Sequence, residues 1–396
     1  MPVRATKRGA ERTPLSGDFD VLICGASFAG LAAARELSGS GAKVLMIDRY
    51  EVGEKQTSAC AAPTAWLESL GLMGSVRQTF GDLVTHTRHR TFRWHLPWTF
   101  STFDYRELCA LLKDQSPDVP FDTAKVEGIA RARESHTVHT DRGDLRAPLV
   151  IDALGWRRVL SVAPDDPIQP PEARLSRGLE VHPHSRSEDL ELWLDRRYVR
   201  AGYSWSFPAG DEVRVGVGSF DPHDKVKEPT VELANELGVE PVRYQGNWIP
   251  HRIRPAAEGD VFFAGDSAGH CLPTTAEGIR TALYFGLACG RELRAIVEGR
   301  QSRAQALERY GAFSQSHRWK FESLWHVQSL FSLINRSPRA ATLMMQALTF
   351  QRFVDWSFKH YLAIAPPEFV SQGRPPAASG DHGQVQRRSA PAGRAA

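Results

Sequence analysis

A glycine-rich turn near the N-terminus has the residue spacing of a dinucleotide-binding loop. The segment Gly25-Ala-Ser-Phe-Ala-Gly30 lies between an apolar run at residues 20–24 and a helical pattern at residues 31–37. Gly25 permits the tight turn, and Gly30 lets the helix approach the strand closely. The free N–H groups and the positive dipole end of that helix would face a pyrophosphate. The turn therefore predicts phosphate binding.

An acidic residue completes this unit at the end of a second apolar run, residues 43–48. Asp48 lies 18 residues beyond Gly30, the position of a carboxylate that accepts a hydrogen bond from a ribose hydroxyl. Ser27 replaces the usual second glycine and would crowd the phosphate more than a hydrogen atom does. We predict a Rossmann-type βαβ unit; the alternative is an ordinary strand–helix turn with a surface aspartate.

Composition excludes several classes of function. The chain has 396 residues, 42% hydrophobic and 24% charged, with a net charge of +3. Residues 1–17 and 373–396 each carry +3, so by subtraction the body between them carries about −3. Because the basic residues lie in the tails, no folded nucleic-acid surface is expected. His86, His89 and His95 lack nearby carboxylate or cysteine partners, so no metal site is predicted.

The cysteines and the apolar runs favour a cytoplasmic location. The five cysteines are widely spaced and form no C-x-x-C pair, which is typical of free thiols in a reducing compartment. No apolar run reaches the roughly 18 residues of a membrane span, and the polar N-terminus lacks a signal-peptide core.

The elements that must position these residues predict an α/β fold: a Rossmann-type domain with a central parallel sheet and a β-meander, an inserted antiparallel-sheet domain and a helical C-terminal region. The meander is expected over residues 123–153, a buried strand at 261–264, and a helix over 278–297. The predicted domains are a disordered basic tail (1–17), a discontinuous nucleotide-binding domain (18–170 and 251–300), a substrate-binding sheet domain (171–250), a helical region (301–372) and a disordered tail (373–396).

Two downstream motifs give the chain a specific resemblance. Gly265-Asp-Ser-Ala-Gly-His-Cys-Leu-Pro-Thr-Thr-Ala-Glu-Gly-Ile279 resembles the second flavin-binding motif of the glutathione-reductase-type FAD superfamily. Gly-Tyr203-Ser-Trp205-Ser-Phe207-Pro208 resembles the Y-x-W-x-F-P signature of the geranylgeranyl reductase family. The resemblance spans about residues 18–300 and implies FAD as the cofactor.

The resemblance and the glycine loop together give a set of cofactor-binding positions. Ala29 matches the loop amide at the pyrophosphate, Arg106 a helical arginine that contacts FAD, and Asp266 an acid near the ribityl and pyrophosphate region. Cys60 resembles the family's cysteine beside the flavin. The full predicted set is Gly25, Ser27, Ala29, Gly30, Asp48, Arg49, Cys60, Ala61, Arg106, Gly265, Asp266, Gly278 and Ile279.

Several positions depart from the family pattern. Ala61 and Ala62 follow Cys60 where glycines are usual, Ala276 replaces a glycine in the second motif, and Leu154 stands where flavin monooxygenases carry an aspartate. The last change resembles either weakened nicotinamide handling or family drift. His270 is interpreted as a surface turn residue.

The resemblance implies reduction of isolated carbon–carbon double bonds in an isoprenoid chain. Cys60 and Tyr203 are the candidate catalytic residues, although Cys60 could equally be a small buried residue. Tyr203, Trp205 and Phe207 alternate, so on a strand they would share one face and could bind the substrate. The alternatives are an FAD-dependent monooxygenase or halogenase on a small hydrophobic or aromatic substrate, and a non-catalytic flavin-binding protein. The external electron donor, NAD(P)H or a ferredoxin-type protein, stays open, as does peripheral membrane contact.

Overall fold

The computed structural model describes residues 13–56, 58–162 and 175–372. The predicted C-terminal tail and residues 1–12 of the predicted N-terminal tail lie outside these residues. Residues 13–17, also assigned to that tail, contact the folded body: the Leu15 amide donates to the Arg142 carbonyl at 2.8 Å.

The strands and helices follow one another along the chain. The strands are β1 (Gly17–Asp18), β2 (Val21–Cys24), β3 (Val44–Asp48), β4 (Ala61–Pro63), β5 (Val76–Thr87), β6 (Thr91–Phe103), β7 (Phe121–Thr123), β8 (Val126–Ala130), β9 (His136–Thr140), β10 (Gly143–Ala147), β11 (Leu149–Asp152), β12 (Leu175–Val181), β13 (Glu191–Leu194), β14 (Gly202–Ala209), β15 (Glu212–Ser219), β16 (Gln245–Pro250), β17 (Ala257–Glu258) and β18 (Val261–Phe263). The helices are α1 (Phe28–Leu37), α2 (Thr64–Ser69), α3 (Tyr105–Asp114), α4 (Lys227–Glu236), α5 (Ile279–Val297), α6 (Arg303–Ser316), α7 (Arg318–Ile334), α8 (Pro338–Ala347) and α9 (Gln351–Leu362).

A six-stranded sheet carries the dinucleotide loop at its centre. Its order is β17-β18-β11-β2-β3-β7, and every pair from β18 to β7 is parallel. The central strands are buried on both faces, which explains why their sequences are short continuous apolar runs. The meander β8–β9–β10 forms a separate four-stranded sheet with β1. The predicted α/β fold with a parallel sheet and a meander is confirmed.

An eight-stranded sheet packs beside this domain, in the order β16-β12-β15-β14-β13-β5-β6-β4. It reaches beyond the predicted segment 171–250, because β4, β5 and β6 come from residues 61–103. The junction is a parallel pairing of β13 with β5, in which Leu192 lies opposite Thr85. Residues more than 100 positions apart therefore share one sheet.

Helix α5 lies against α1 at very short range because two of its residues are glycines. A Cβ atom built on Gly286 would lie 2.5 Å from the Ala29 carbonyl oxygen, and one on Gly290 would lie 2.8 Å from that of Ala33. Helices α6–α9 account for the predicted helical region, and α9 packs on β6. No helix among the described residues is long and apolar enough to cross a membrane.

Candidate functional site

The glycine loop is held so tightly that side chains are excluded at its two ends. Gly25 has φ +114°, and a Cβ atom there would lie 2.2 Å from the Ala153 carbonyl oxygen. At Gly30 a Cβ atom would lie 1.8 Å from the carbonyl oxygen of Gly25. Helix α1 begins at Phe28, so the amides of Phe28, Ala29 and Gly30 have no carbonyl partner within the helix. These amides are available to an anion.

The serine at the second glycine position is directed to a protein partner. The Tyr105 hydroxyl donates to Ser27 Oγ at 3.1 Å, and Ser27 makes no side-chain cap to α1. Tyr105 in turn packs edge-on against Phe28. Tyr105 thereby positions the hydroxymethyl group of Ser27. This reduces the crowding of the phosphate that a serine in this loop predicts.

Asp48 binds the same loop from the end of β3. Its Oδ2 accepts from the Ala26 amide at 2.9 Å and its Oδ1 from the Tyr50 amide at 3.1 Å. Burial raises the pKa of Asp48, and these amide hydrogen bonds oppose that rise. Each oxygen keeps a lone pair for a ribose hydroxyl. The adjacent Arg49 is exposed and lies 4.9 Å from the Tyr50 ring.

Arg106 lies on the outer side of this region, at the start of α3. Its side chain is exposed, and its backbone contacts the loop after β3: a Cβ atom on Gly53 (φ +71°) would lie 2.9 Å from Arg106 Cα. Asp104 caps α3 by accepting from the Glu107 amide at 2.9 Å. The helix cap and the contact with Gly53 fix the backbone position of Arg106.

The second motif lies next to the first. Gly265 opens a short 3-10 turn after β18, and a Cβ atom on it would lie 3.1 Å from Ala29 Cβ. Asp152 at the end of β11 holds this turn: its Oδ1 accepts from Ser267 Oγ at 2.6 Å. Asp152 is buried with no exposed surface, and its part in the site was missed because an aspartate ending a strand looks like any turn residue.

Asp266 is a partly buried carboxylate that receives no hydrogen bond from any described residue. Burial raises its pKa to about 6, while Arg254 opposes the rise. Gly278 precedes α5, and a Cβ atom on it would lie 3.6 Å from Asp266 Oδ1. Ile279 is the first residue of α5, so a helix N-terminus lies beside this carboxylate.

The loop between the turn and α5 has a strained backbone and is held by hydrogen bonds from other parts of the chain. Thr274 and Ala276 have φ of 71° and 52°, a region that favours glycine. The Tyr203 hydroxyl donates to the Thr275 carbonyl, and the Tyr361 hydroxyl donates to Glu277. The positive φ at Ala276 explains why the family pattern has glycine there.

Buried charges complete this fastening. Arg280, with no exposed surface, donates to both oxygens of Glu277 at 2.8 and 2.9 Å. Its Nη1 also donates to the carbonyls of Leu362, the last residue of α9, and of Ala365, which follows the helix. The C-terminal helices are therefore tied directly to the second motif.

Tyr203, Trp205 and Phe207 lie on one face of β14, as their alternation predicts. The ring centroids of Trp205 are 6.0 Å from Tyr203 and 6.4 Å from Phe207. A Cβ atom on Gly216 of the neighbouring strand would lie 2.3 Å from Trp205 Cζ2, so glycine is required beneath the indole. We call this surface the aromatic face. Tyr203 joins it to the second motif.

Cys60 lies at the other side of this face and is fully buried. Its Sγ donates to the Ser58 carbonyl at 3.1 Å, and burial raises its pKa well above the usual thiol range. Its backbone has φ 56° and is held by Arg214, whose Nη1 donates to the carbonyls of Ala59 at 2.8 Å and Cys60 at 3.2 Å. Ala61 follows as the first residue of β4 and is also buried.

Two ionisable residues on the aromatic face were missed by sequence reasoning. Glu180 and His182 are 3% and 6% exposed, and Glu180 Oε2 accepts from Trp205 Nε1 at 3.1 Å. Glu180 Oε1 lies 2.9 Å from His182 Nε2 and accepts from Gln245 Nε2 at 3.1 Å. The available signal was a glutamate within the otherwise apolar end of β12.

His270 corrects an expectation. It is not a surface turn residue: it has no exposed surface, stacks on Phe285 at 3.7 Å, and contacts Ser314 Oγ through Nε2 at 2.9 Å. Burial lowers its pKa well below the usual imidazole range, so it is a neutral packing residue. The motif's turn lies beneath α5 and α6, which sequence spacing does not reveal.

The described residues fit an FAD molecule. The free amides of α1 suit the pyrophosphate, the remaining lone pairs of Asp48 suit a ribose, and the unpaired Asp266 carboxylate suits a hydroxyl donor of the cofactor. All three lie at the carboxyl edge of the parallel sheet, where ligands of open α/β sheets bind.

Comparison with known proteins agrees with this reading. Residues 18–146 match the family model of an FAD binding domain. Two archaeal relatives are similar over most of their length: digeranylgeranylglycerophospholipid reductase 3 of Methanosphaera stadtmanae (24% identical, 76% of this chain and 83% of the relative) and digeranylgeranylglycerophospholipid reductase of Methanococcus vannielii (29%, 78% and 85%).

A solved structure shares the fold. The geranylgeranyl bacteriochlorophyll reductase-like protein of Thermoplasma acidophilum superposes with a TM-score of 0.76 at 17% identity, covering 90% of this chain and 98% of that one. The predicted cofactor, FAD, is confirmed by the domain match. The family resemblance predicted from the motifs is likewise confirmed: the chain is an FAD-dependent oxidoreductase related to the geranylgeranyl reductases.

Proposed function

We propose that the protein reduces isolated carbon–carbon double bonds in an isoprenoid chain. The observation that carries this proposal is the junction at Tyr203, whose hydroxyl donates to Thr275 in the second flavin motif. That bond brings an apolar aromatic surface up to the cofactor site. The relatives are reductases of geranylgeranyl compounds, and they suggest the substrate class.

The cofactor site is assigned to residues at the sheet edge and the two motifs. When bound, FAD supplies the hydride, and the protein supplies position and surroundings. The α1 amides hold the pyrophosphate, Asp48 the ribose and Asp266 a cofactor hydroxyl, with Arg49 and Arg106 at the outer rim. The N-terminus of α5 at Gly278 and Ile279 favours negative charge on the reduced ring system.

The aromatic face is assigned to the substrate. Trp205 is 9% exposed and lies flat over Gly216, so the surface is smooth as well as apolar. An isoprenoid chain has no polar atoms to satisfy, and contact with three aromatic rings would remove it from water. Tyr203 and Phe207 extend the surface on either side of the indole.

Cys60 and Tyr203 border this face, yet each holds its proton on a backbone carbonyl. The thiol donates to Ser58 and the phenol to Thr275, and burial raises the pKa of both groups. Both are therefore weak acids. We propose that they shape the site, with Tyr203 fastening the strained loop and Cys60 filling the space beside Arg214.

Anaerobic turnover tests the proposed function. The FAD-loaded protein is reduced with dithionite and mixed with a panel of prenyl lipids, quinones and diphosphates, and products are analysed for a mass gain of two hydrogens. NADPH and a reduced ferredoxin then replace dithionite to identify the external donor. Reoxidation with a saturated product supports the proposal. Oxygen-dependent hydroxylation or halogenation without saturation, or no reoxidation by any compound, overturns it.

We further propose that the C-terminal helices contact a membrane surface. Eight of the twelve exposed large hydrophobic residues in the described chain lie between residues 319 and 356. The segment 318–360 also has six Lys and Arg against two Asp and Glu. Exposed apolar side chains among basic residues suit an anionic lipid surface, where a prenyl lipid substrate would be found.

A further inference from the structure

The reduction of an isolated alkene needs a proton as well as a hydride, and neither predicted catalytic side chain is a ready donor. An isolated double bond accepts hydride poorly, so protonation of one carbon must accompany hydride addition to the other. Cys60 and Tyr203 direct their protons to carbonyls. The source of the proton must therefore be another group near the aromatic face.

Glu180 and His182 are the ionisable pair in contact with that face. Glu180 lies near the end of β12 opposite Gly216, which is also the β15 partner of Trp205, so Glu180 shares a side of the sheet with that indole. His182 follows the strand and reaches this side through its contact with Glu180. Glu180 accepts from three directions: Trp205, Gln245 and His182. Three polar partners therefore meet at this one carboxylate.

The second nitrogen of His182 faces another carboxylate. His182 Nδ1 lies 3.5 Å from Glu212 Oε1, so the imidazole lies between two carboxylates and can carry hydrogens on both nitrogens. Glu212 is 19% exposed and pairs with Arg214 and with the half-exposed Arg243. A line of Glu212, His182 and Glu180 thus connects the solvent-exposed edge of the site with the indole of Trp205.

We propose that this line supplies the proton of the reaction. His182 passes a proton to Glu180, which gives it to one alkene carbon as the hydride of the reduced cofactor adds to the other; the C=C π bond is lost and two C–H bonds form. A bound, reduced cofactor would supply the two electrons with its hydride, and Glu212 returns a proton from solvent to His182. The proposal rests on the proposed function and adds the residues that serve it.

The charges around the pair are Glu212 and Arg214 on β15, Arg243 before β16, and Cys60 in the loop before β4. Arg214 and Arg243 both bind Glu212, at 3.1 and 3.2 Å, and in the hydrogen-bond network of the described residues His182 is the side chain that links Glu212 to Glu180. Replacing the Glu180 carboxylate should therefore change the hydrogen bond that His182 Nε2 makes.

The test compares Glu180→Gln with Glu191→Gln. Glu191 makes the same contact with His86, 2.9 Å between carboxylate and Nε2, in the same large sheet; it lies opposite Ser206, so its side chain points to the other face of the sheet from Trp205. In FAD-loaded protein, ¹⁵N-imidazole NMR follows His182, identified by the signal missing in His182→Gln. We expect the ¹⁵N resonance of His182 Nε2 to shift in Glu180→Gln, because its partner changes from a carboxylate to an amide, and to stay unchanged in Glu191→Gln.

Single-turnover reoxidation of the reduced protein by an active prenyl compound gives the second readout. Glu180→Gln and His182→Gln should slow it at least tenfold, with a changed pH profile and solvent deuterium isotope effect. Trp205→Phe keeps an aromatic ring without the N–H; because that N–H binds Glu180 Oε2 and not Oε1, the His182 Nε2 resonance should stay in place, which shows that the fold tolerates changes here.

Outcomes separate the two proposals. A wild-type protein that saturates no prenyl compound overturns the proposed function, and the proton line with it. A wild-type protein that is active while Glu180→Gln keeps its rate within about twofold and its pH profile overturns the proton line alone. A variant that loses substrate affinity but keeps the pH profile also overturns it, since Glu180 would then only position Trp205.

Discussion

At the scale of single residues, the site depends on residues with a tightly packed or left-handed backbone and on a carboxylate without a hydrogen-bond donor. Gly25 and Gly30 leave no room for a Cβ atom, Ala276 occupies a left-handed backbone conformation, and Asp266 is a carboxylate without a protein donor. Each condition costs stability in the protein alone. Each also fits a function, because the cofactor's phosphate approaches the glycines and its hydroxyls can satisfy the carboxylate.

Asp266→Asn should stabilise the FAD-free protein in a pH-dependent way. Because burial raises the pKa of Asp266 to about 6, its contribution to stability is full below pH 3.8 and is lost as the pH rises through 6. At pH 7 the free energy of unfolding of the asparagine variant should therefore be up to about 3 kcal/mol higher than that of wild type. Near pH 4 the two free energies of unfolding should be equal. Denaturant titration of FAD-free protein at several pH values measures this.

The same variant should bind FAD roughly ten- to a hundredfold more weakly, because a hydrogen bond to a charged acceptor contributes about 1.5–3 kcal/mol. Fluorescence titration with FAD gives the affinity. Asp221→Asn is the control, since that carboxylate is half-exposed and binds only His223 and its amide among the described residues. A stability difference that does not vary with pH, or unchanged FAD affinity, would contradict the assignment.

Ala276→Gly should raise the melting temperature. The backbone strain of a non-glycine residue at φ 52° destabilises the folded protein by about 1–2 kcal/mol, and glycine removes that strain. Glycine also destabilises the folded protein by about 0.5–1 kcal/mol, because it has more conformational entropy in the unfolded state. A net gain of up to about 1 kcal/mol is expected. Ala288→Gly, a buried position inside α5, should lower the melting temperature in the same thermal scans. A loss of stability in Ala276→Gly would show that the alanine methyl group packs favourably in the loop.

Residue-scale predictability follows from how local each feature is. The glycine loop and Asp48 belong to one 30-residue βαβ unit, so spacing alone locates them. Glu180 and His182 meet Trp205 only through the antiparallel registers of β12, β15 and β14. No pattern within β12 specifies that register, and the pair was therefore missed.

At the scale of elements, α9 acts as a fastening for the second motif. Tyr361 donates to Glu277 and contacts Thr275 Oγ1 at 2.8 Å, and Arg280 binds the carbonyl of the last residue of α9 and that of Ala365. The predicted helical region had no assigned role. The hydrogen bonds show one: it holds the strained loop at Thr275 and Glu277, in addition to the bond from Tyr203.

Tyr361→Phe should loosen this loop without unfolding the chain. The change removes one hydroxyl and leaves Glu277 paired with Arg280, so we expect a loss of about 1–2 kcal/mol in stability and faster FAD release. Release is measured by the recovery of free-FAD fluorescence after dilution. Tyr244→Phe, at an exposed tyrosine, is the control and should match wild type. If Tyr361→Phe releases FAD no faster than the control, α9 does not fasten the loop.

Element boundaries were predictable where local signals mark them. The helix after the glycine loop is longer than its apolar pattern, Phe28–Leu37 against 31–37, because the loop residues themselves supply the first turn. The membership of the large sheet was not predictable. Its β5–β13 pairing is parallel and joins segments separated by the meander and two strands of the central sheet, so no short-range turn signal reports it.

At the scale of the whole molecule, the chain buries charge at its centre and exposes apolar surface at one end. Arg280, Arg214 and Arg158 are each at most 3% exposed, and each is bonded to carboxylates and carbonyls that join distant segments. The C-terminal helices instead expose Leu343 and Phe350 at 67% and 72%. Surfaces of this kind on a monomer commonly mark an interaction site.

Membrane contact through this surface makes a direct prediction for vesicle flotation. The protein should float with phosphatidylcholine vesicles that contain phosphatidylserine, and less with phosphatidylcholine alone or at high salt, because six basic residues face two acidic ones in residues 318–360. The double variant Phe350→Ser, Trp356→Ser should float at least tenfold less, since each buried aromatic contributes about 1.5–3 kcal/mol.

Leu237→Ser is the matched control for this experiment. Leu237 is an exposed hydrophobic residue at the end of α4, outside the C-terminal helices, and its loss should leave flotation unchanged. Membrane contact would be contradicted if the double variant floats as well as wild type. It would also be contradicted if wild type floats with neither kind of vesicle. Reduction of a short prenyl compound dispersed in water needs only the aromatic face and the cofactor site. The double variant should therefore reduce such a compound at the wild-type rate. That separation would place lipid binding and chemistry on different parts of the chain.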